Sequence, residues 1–229
     1  MILALNNKSN LGKEEFTSYI SKLEDISTNH QLILCPTFLN LGTCSLSNID
    51  LGSQNVSRYD DGAYTGEVSA SQLHSYGVRY AIVGHSERRE YQRESLEEIH
   101  EKLVKLSEQG IIPILCVGES LQERKEGRVK EILKEEVLTA LDNLSFDKII
   151  IAYEPIWSIG TGVIPKKEEI EEVLSFLKEL VPTASFLYGG SANEENIDLL
   201  KEILLIDGYL LGGLSLKPEK LSIFLQKLG

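Results

Sequence analysis

Cysteine is scarce in this sequence and has no evident partner. Cys35, Cys44 and Cys116 are odd in number, form no C-x-x-C pair and stand at no spacing to a histidine that suits a metal. A disulfide scaffold and a thiolate metal site are both unsupported, and a reducing compartment fits best. Basic residues are short as well, 23 against 35 acids, for a net charge of −12. A long basic groove for nucleic acid is not expected, an anionic membrane surface would repel the chain, and an anionic substrate must be held by local donors. The amino terminus, MILALNNKSN, offers only five apolar residues before it turns polar, too few for a signal peptide, and no later run approaches the length of a bilayer. The expectation is a cytoplasmic protein with neither a membrane nor a nucleic-acid partner. With six prolines and no Pro/Ser-rich stretch there is no linker either, and 42% apolar with 25% charged residues is ordinary globular composition.

What the sequence has is alternation of elements. ILAL, LILC, VRYAIVG, IIPILCVG, KIIIAY, ASFLYG and IDGYLLG are continuously apolar, as parallel strands buried on both faces are, and an eighth strand fits at about residues 49–54. Amphipathic helices lie between them. The clearest is KKEEIEEVLSFLKEL, with Ile170, Val173, Leu174, Leu177 and Leu180 at helical spacing, and Leu96, Ile99, Leu103 and Leu106 form a second stripe. Eight such units at roughly thirty-residue intervals predict an α/β fold, a (β/α)8 barrel forming a single domain over residues 1–229.

In such barrels the working face is the rim beyond the carboxyl ends of the strands. Polar residues just past the apolar runs are Asn6 and Lys8, Gln54 and Asn55, His85, Ser86 and Glu87, Glu154, Ser191, and the pair Gly212 and Gly213. Glu154 follows IIIAY and stands among Tyr153, Ile156 and Trp157. Desolvation there is expected to raise its pKa and make it a stronger base. His85 stands just before the helix-like run SERREYQRES, where the positive end of the helix should disfavour protonation and leave a neutral hydrogen-bond donor. Lys8 needs a counter-charge, and Glu87 or an anionic substrate would supply it. Gly160, Gly189-Gly190-Ser191 and Gly212-Gly213 let backbone N–H groups approach an anion closely, which suits phosphate. Neither GTGVIP nor LGGLSL matches the dinucleotide fingerprint, and GHSER lacks the last glycine of a nucleophile elbow, so neither a nicotinamide cofactor nor a serine hydrolase is expected. Read one at a time, Glu154 could simply cap a strand, His85 could be a satisfied buried histidine, and Lys8 could be surface charge.

Six motifs, AYEPIWSIGTG, IVGHSERRE, CVGES, GAYTGEVS, LYGGS and DGYLLGGLSLKP, together resemble the triosephosphate isomerase family in the family's order, over positions 61 to 218. The resemblance implies interconversion of dihydroxyacetone phosphate and glyceraldehyde 3-phosphate through an enediolate, without cofactor or metal. It implies Glu154 as the base and a neutral His85 and Asn6 as donors to the substrate oxygens, an acid–base pairing that is a known worked case of pKa tuning. Lys8 would stabilise developing charge. It further implies phosphate held by backbone N–H groups of Gly160, Ser191, Gly212 and Gly213, and Glu87 orienting Lys8 and Ser86. A homodimer follows, in which the 55–69 loop enters the partner near its active site, with Thr65, Gln54 and Asn55 at the contact. Ile156–Ile164 would be a lid between Pro155 and Pro165 that keeps water from the enediolate.

Two departures stand out. Asn7 and Ser9 replace the usual Trp and Met around the lysine, and the second hinge reads Val163-Ile164-Pro165 in place of Lys-Thr-Ala. In the family the tyrosine of YGGS, here Tyr188, bonds the N–H of the last hinge residue when the lid closes, and proline has none. Closure is therefore expected to be less favourable by about 0.5–1.5 kcal/mol unless another contact compensates. The competing readings are another phosphate-binding barrel, which would leave the Lys8, His85 and Glu154 set unexplained, and a catalytically silent barrel that binds a metabolite or a partner.

Overall fold

The computed structural model describes residues 1–44, 46–161 and 164–229. Eight parallel strands close a barrel in chain order: β1 (Ile2–Asn6), β2 (Gln31–Cys35), β3 (Asp50–Ser53), β4 (Tyr80–Val83), β5 (Ile112–Val117), β6 (Ile150–Tyr153), β7 (Ser185–Tyr188) and β8 (Gly208–Leu211). Closure is made by β1, which pairs with β2 at Ala4 and Ile33 and with β8 at Ala4 and Leu210. The connecting helices are α1 (Lys13–Glu24), α2 (Phe38–Leu41), α3 (Ala70–Ser75), α4 (Ser86–Gln92), α5 (Leu96–Glu108), α6 (Leu121–Lys125), α7 (Val129–Ala140), α8 (Lys167–Leu180), α9 (Ile197–Leu200) and α10 (Pro218–Leu228). Each apolar run of the sequence holds one strand, so the (β/α)8 expectation is met. β4 ends at Val83 because Gly84 leaves it with φ 71, a left-handed conformation that turns the chain into α4. Among the described residues, no helix is long and apolar enough to cross a membrane.

Period-two alternation divides the strands between two cores. Leu3, Leu5, Leu32, Leu34, Val83, Leu115 and Ile151 face outward and pack against the helices. Ala4, Ile33, Cys35, Ile82, Ile114, Cys116, Ala152, Leu187 and Leu210 fill the barrel. α8 buries Ile170, Val173, Leu174 and Leu177, while Leu180 is half-buried at its end. Each fully buried leucine here contributes about 1.5–3 kcal/mol relative to exposure. α5 starts with a reciprocal cap, in which Ser95 N–H donates to Glu98 and Glu98 N–H donates to Ser95 Oγ at 3.2 Å. The same alternation sets the rim. Asn6 lies two residues past Ala4, Glu154 two past Ala152 and Gly212 two past Leu210, so these three continue the inward-facing rows above the packed interior.

Candidate active site

Above the barrel interior is a cavity of about 110 Å³. Asn6, Lys8, His85, Glu154, Gly160, Ser191, Gly212 and Gly213 all line it, together with Ile159, Gly189, Gly190, Ala192 and Leu210. All eight catalytic and substrate-binding residues expected from the sequence meet there. Ser86, Glu87 and Tyr188 stand behind them.

Glu154 is 1% exposed and holds two partners. Its Oε1 lies 3.1 Å from His85 Nε2, and its Oε2 accepts the backbone N–H of Ser86 at 3.0 Å. Small neighbours make room for it: a Cβ on Gly189 would come within 2.9 Å of Glu154 Cγ, and one on Gly118 would overlap the Glu154 carbonyl. The carboxylate does not have the raised pKa expected of it. Burial pushes it up, but His85, the Ser86 N–H and Arg89 together hold the net value below the ordinary carboxylate range.

His85 caps α4, and its Nδ1 accepts the Glu87 N–H at 3.3 Å. In the neutral imidazole this bond leaves the proton on Nε2, the nitrogen that faces the cavity and Glu154. The helix was expected to keep His85 neutral. Burial does lower its pKa, but the Glu154 carboxylate and then Glu87 outweigh it, and the net shift is upward. One contact sets the direction for both residues, since the acid and the imidazole stabilise each other's charged form across 3.1 Å.

Lys8 has φ 52, and its N–H donates to Asn6 Oδ1 at 3.0 Å. Its ammonium pairs with Glu87 at 2.5 Å. A Cβ on Gly212 would lie 3.1 Å from Lys8 Cε, so the bare glycine leaves the lysine stem its path into the cavity. Asn7, in the position of the usual tryptophan, is buried and donates to Ser215 Oγ at 3.3 Å, and that hydroxyl in turn reaches the Gly212 carbonyl at 2.6 Å. The turn carrying Lys8 and the turn carrying Gly212-Gly213 are thereby tied together.

Ser191 Oγ donates to the Ser158 carbonyl at 2.6 Å, and Ser191 N–H faces Ser158 Oγ at 3.5 Å. Tyr188 is fully buried, with its pKa pushed up to about 12 by burial, and its hydroxyl also lies 3.5 Å from Ser158 Oγ. The described contact of Tyr188 is thus with the first part of the Pro155–Pro165 loop. Of the second hinge, Ile164 and Pro165 are described and Val163 lies outside the described residues.

Sequence reading missed several supporting residues. Glu119, fully buried, accepts from Arg124 at 2.8 Å, Tyr153 at 3.2 Å and Trp157 Nε1 at 3.0 Å, and so anchors the loop's tryptophan. It follows the fifth strand, so the rule that found Glu154 could have found it. Ser158, Asn7 and Arg89 carried no such signal. Gln54 donates to the carbonyls of Lys8 and Cys35, each at 2.9 Å, and Asn55 accepts from Lys102 at 2.8 Å. Both brace the base of the 55–69 loop, and Thr65 at its tip is exposed.

The family model for triosephosphate isomerase matches residues 1–228. A triosephosphate isomerase of Gloeothece citriformis is 41% identical over 204 residues, covering 86% of this chain and 85% of the relative. That of Prochlorococcus marinus is 38% identical over 213 residues, covering 90% and 88%, and that of Alkaliphilus metalliredigens is 37% identical over 236 residues, covering 95% of each.

Proposed function

We infer that this chain, which belongs to the triosephosphate isomerase family, interconverts dihydroxyacetone phosphate and D-glyceraldehyde 3-phosphate, an isomerase step of glycolysis and gluconeogenesis. The observation that carries the reading is the meeting of a buried carboxylate, an imidazole and an ammonium in one small cavity walled by glycine backbone. Glu154 takes a proton from one carbon and returns it to its neighbour, and the hydroxyl proton moves between the two oxygens. Atoms balance within the substrate, with an enediolate between the two forms. A positioned base of this kind supplies about 10²–10⁴-fold.

His85 Nε2–H and the Asn6 amide are assigned to the two substrate oxygens, and Lys8 to the charge that develops on them. Glu87 holds Lys8 in place. Substrate entering between His85 and Glu154 takes over the Nε2 bond, which removes one of the contacts holding the carboxylate's pKa down and so strengthens the base when it is needed. Backbone N–H groups of Gly160, Ser191, Gly212 and Gly213 are assigned to the phosphate, where donors without net charge suit a protein of net charge −12. The loop from Pro155 to Pro165 then covers the site and excludes water, which protects the enediolate from losing phosphate.

We assign a homodimer in a cytoplasmic setting. Residues 60–67 of the 55–69 loop are exposed, and the loop is braced from within: Tyr59 and Tyr64 stack at 4.1 Å, Arg58 lies over Tyr59, and Asp61 accepts from Ser69 and Ser71. Beside Lys8 runs a groove of about 360 Å³ lined by Phe38, Gln54, Glu87 and Tyr91, which suits the tip of a partner's arm. Three free thiols fit a reducing compartment. Turnover in D₂O tests the proton path: glyceraldehyde 3-phosphate formed from dihydroxyacetone phosphate should carry deuterium at carbon 2, and product wholly without it would require a transfer sealed from solvent.

A further inference from the structure

Glu136 is a buried acid that the cavity does not use. It lies on α7 and is 8% exposed, while its neighbour Glu135 faces solvent. Its two oxygens are divided: Oε2 accepts the Gly118 N–H at 2.9 Å, and Oε1 pairs with Arg89. Each partner touches one half of the acid–base pair. Gly118 follows β5 and packs against the backbone of Glu154, whose own N–H donates to Val117 at 2.7 Å. Arg89 lies one turn into the helix that His85 caps, and its N–H returns to the His85 carbonyl at 3.2 Å. The first N–H of that helix, on Ser86, is the one that holds Glu154.

We propose that Glu136 is a positioning residue for the proton transfer: by gripping Arg89 and Gly118 together it fixes the His85 turn against the end of β6 that carries Glu154, and it neutralises the guanidinium that bears on the base. This rests on the isomerase reading. The groups facing Glu154 are His85, the Ser86 N–H, Arg89 and Cys116, and those facing Glu136 are Arg89, the Gly118 N–H and Glu123. Of the first set, Arg89 is the one whose effect a carboxylate outside the barrel can offset in part. With Glu136 uncharged, the guanidinium acts on Glu154 uncompensated and makes it a weaker base.

Glu136→Gln keeps an acceptor for Gly118 and removes the charge opposite Arg89. The acid limb of its kcat/KM profile should move to lower pH by about 0.5 unit or more, with kcat down about 3–10-fold and KM within about twofold. Binding of inorganic phosphate should be unchanged. The substrate phosphate titrates near pH 6, on the order of its second pKa, but identically in both enzymes, so the difference is the readout. Arg89→Gln should move the limb the opposite way, and it carries the test if Glu136→Gln does not fold. An active wild type whose profile superimposes on that of a folded variant overturns the inference alone. A wild type without turnover defeats the isomerase reading first.

Discussion

Glu154 Oε1 and His85 Nε2 lie 3.1 Å apart, both side chains buried, one at the end of β6 and the other at the cap of α4. They stand 69 positions apart in the chain, and no local rule gives the sign of what each does to the other. The carboxylate is held down and the imidazole is held up, each by the other's charge.

Removing the carboxylate should therefore expose the effect of burial on the histidine. In Glu154→Gln, His85 loses its main upward cause and keeps the downward one, so its pKa should fall below the ordinary 6.5. An NMR titration of the imidazole reads this directly. The sign also predicts stability. A depressed Glu154 contributes above the ordinary 4.5 and loses its contribution as pH falls through its own value, and an elevated His85 contributes below 6.5 and loses it as pH rises through its own. The Tm difference between wild type and variant should be largest between those limits and smaller at pH 8.

Lys8 separates activity from stability. Its pair with Glu87 is 28% and 41% exposed, so breaking it should cost no more than about 1 kcal/mol. Lys8→Gln should nonetheless lower kcat/KM by about 10²–10³-fold through lost stabilisation of developing charge. A variant as active as wild type would remove Lys8 from the mechanism.

Tyr188 tests the altered hinge. Its hydroxyl stands 3.5 Å from Ser158 Oγ, too long for a strong bond, and the hinge residue at 165 is a proline with no N–H to offer. Tyr188→Phe should change kcat/KM by less than about threefold, since a bond of this kind is worth little. A loss of the size expected for a closing bond would mean that the hydroxyl meets the lid elsewhere.

Thr65 tests the dimer. Light scattering should give the wild type about twice the 25.6 kDa of one chain. Thr65→Arg, which places a long charged side chain at the tip of the arm, should shift the mass toward one chain and reduce turnover with it. A wild-type mass of one chain would defeat the assignment.

The barrel was legible because buried parallel strands read as unbroken apolar runs and their helices as stripes, and both periods are local. Asn6, Glu154 and Gly212 were legible for the same reason, each standing at the end of an inward-facing row. Glu136 was not. It sits in KEEV beside Glu135, and which of two adjacent acids turns inward depends on where α7 meets Gly118 and Arg89, a long-range fact. Ser158 and Asn7 were equally silent, since a serine in a loop and an asparagine after a strand have many ordinary uses. The signs of the two central pKa shifts failed in the same way: burial and helix ends can be estimated along the chain, whereas the 3.1 Å contact that outweighs them exists only in the fold.

The most direct test is the initial rate of the purified protein on glyceraldehyde 3-phosphate, with dihydroxyacetone phosphate detected by a coupled dehydrogenase, beside Glu154→Gln. The account predicts fast turnover in the wild type and a loss of at least about 10²-fold in the variant, the low end of what a positioned base supplies. A folded wild type that binds inorganic phosphate and shows no turnover would contradict it, as would a variant that keeps the wild-type rate.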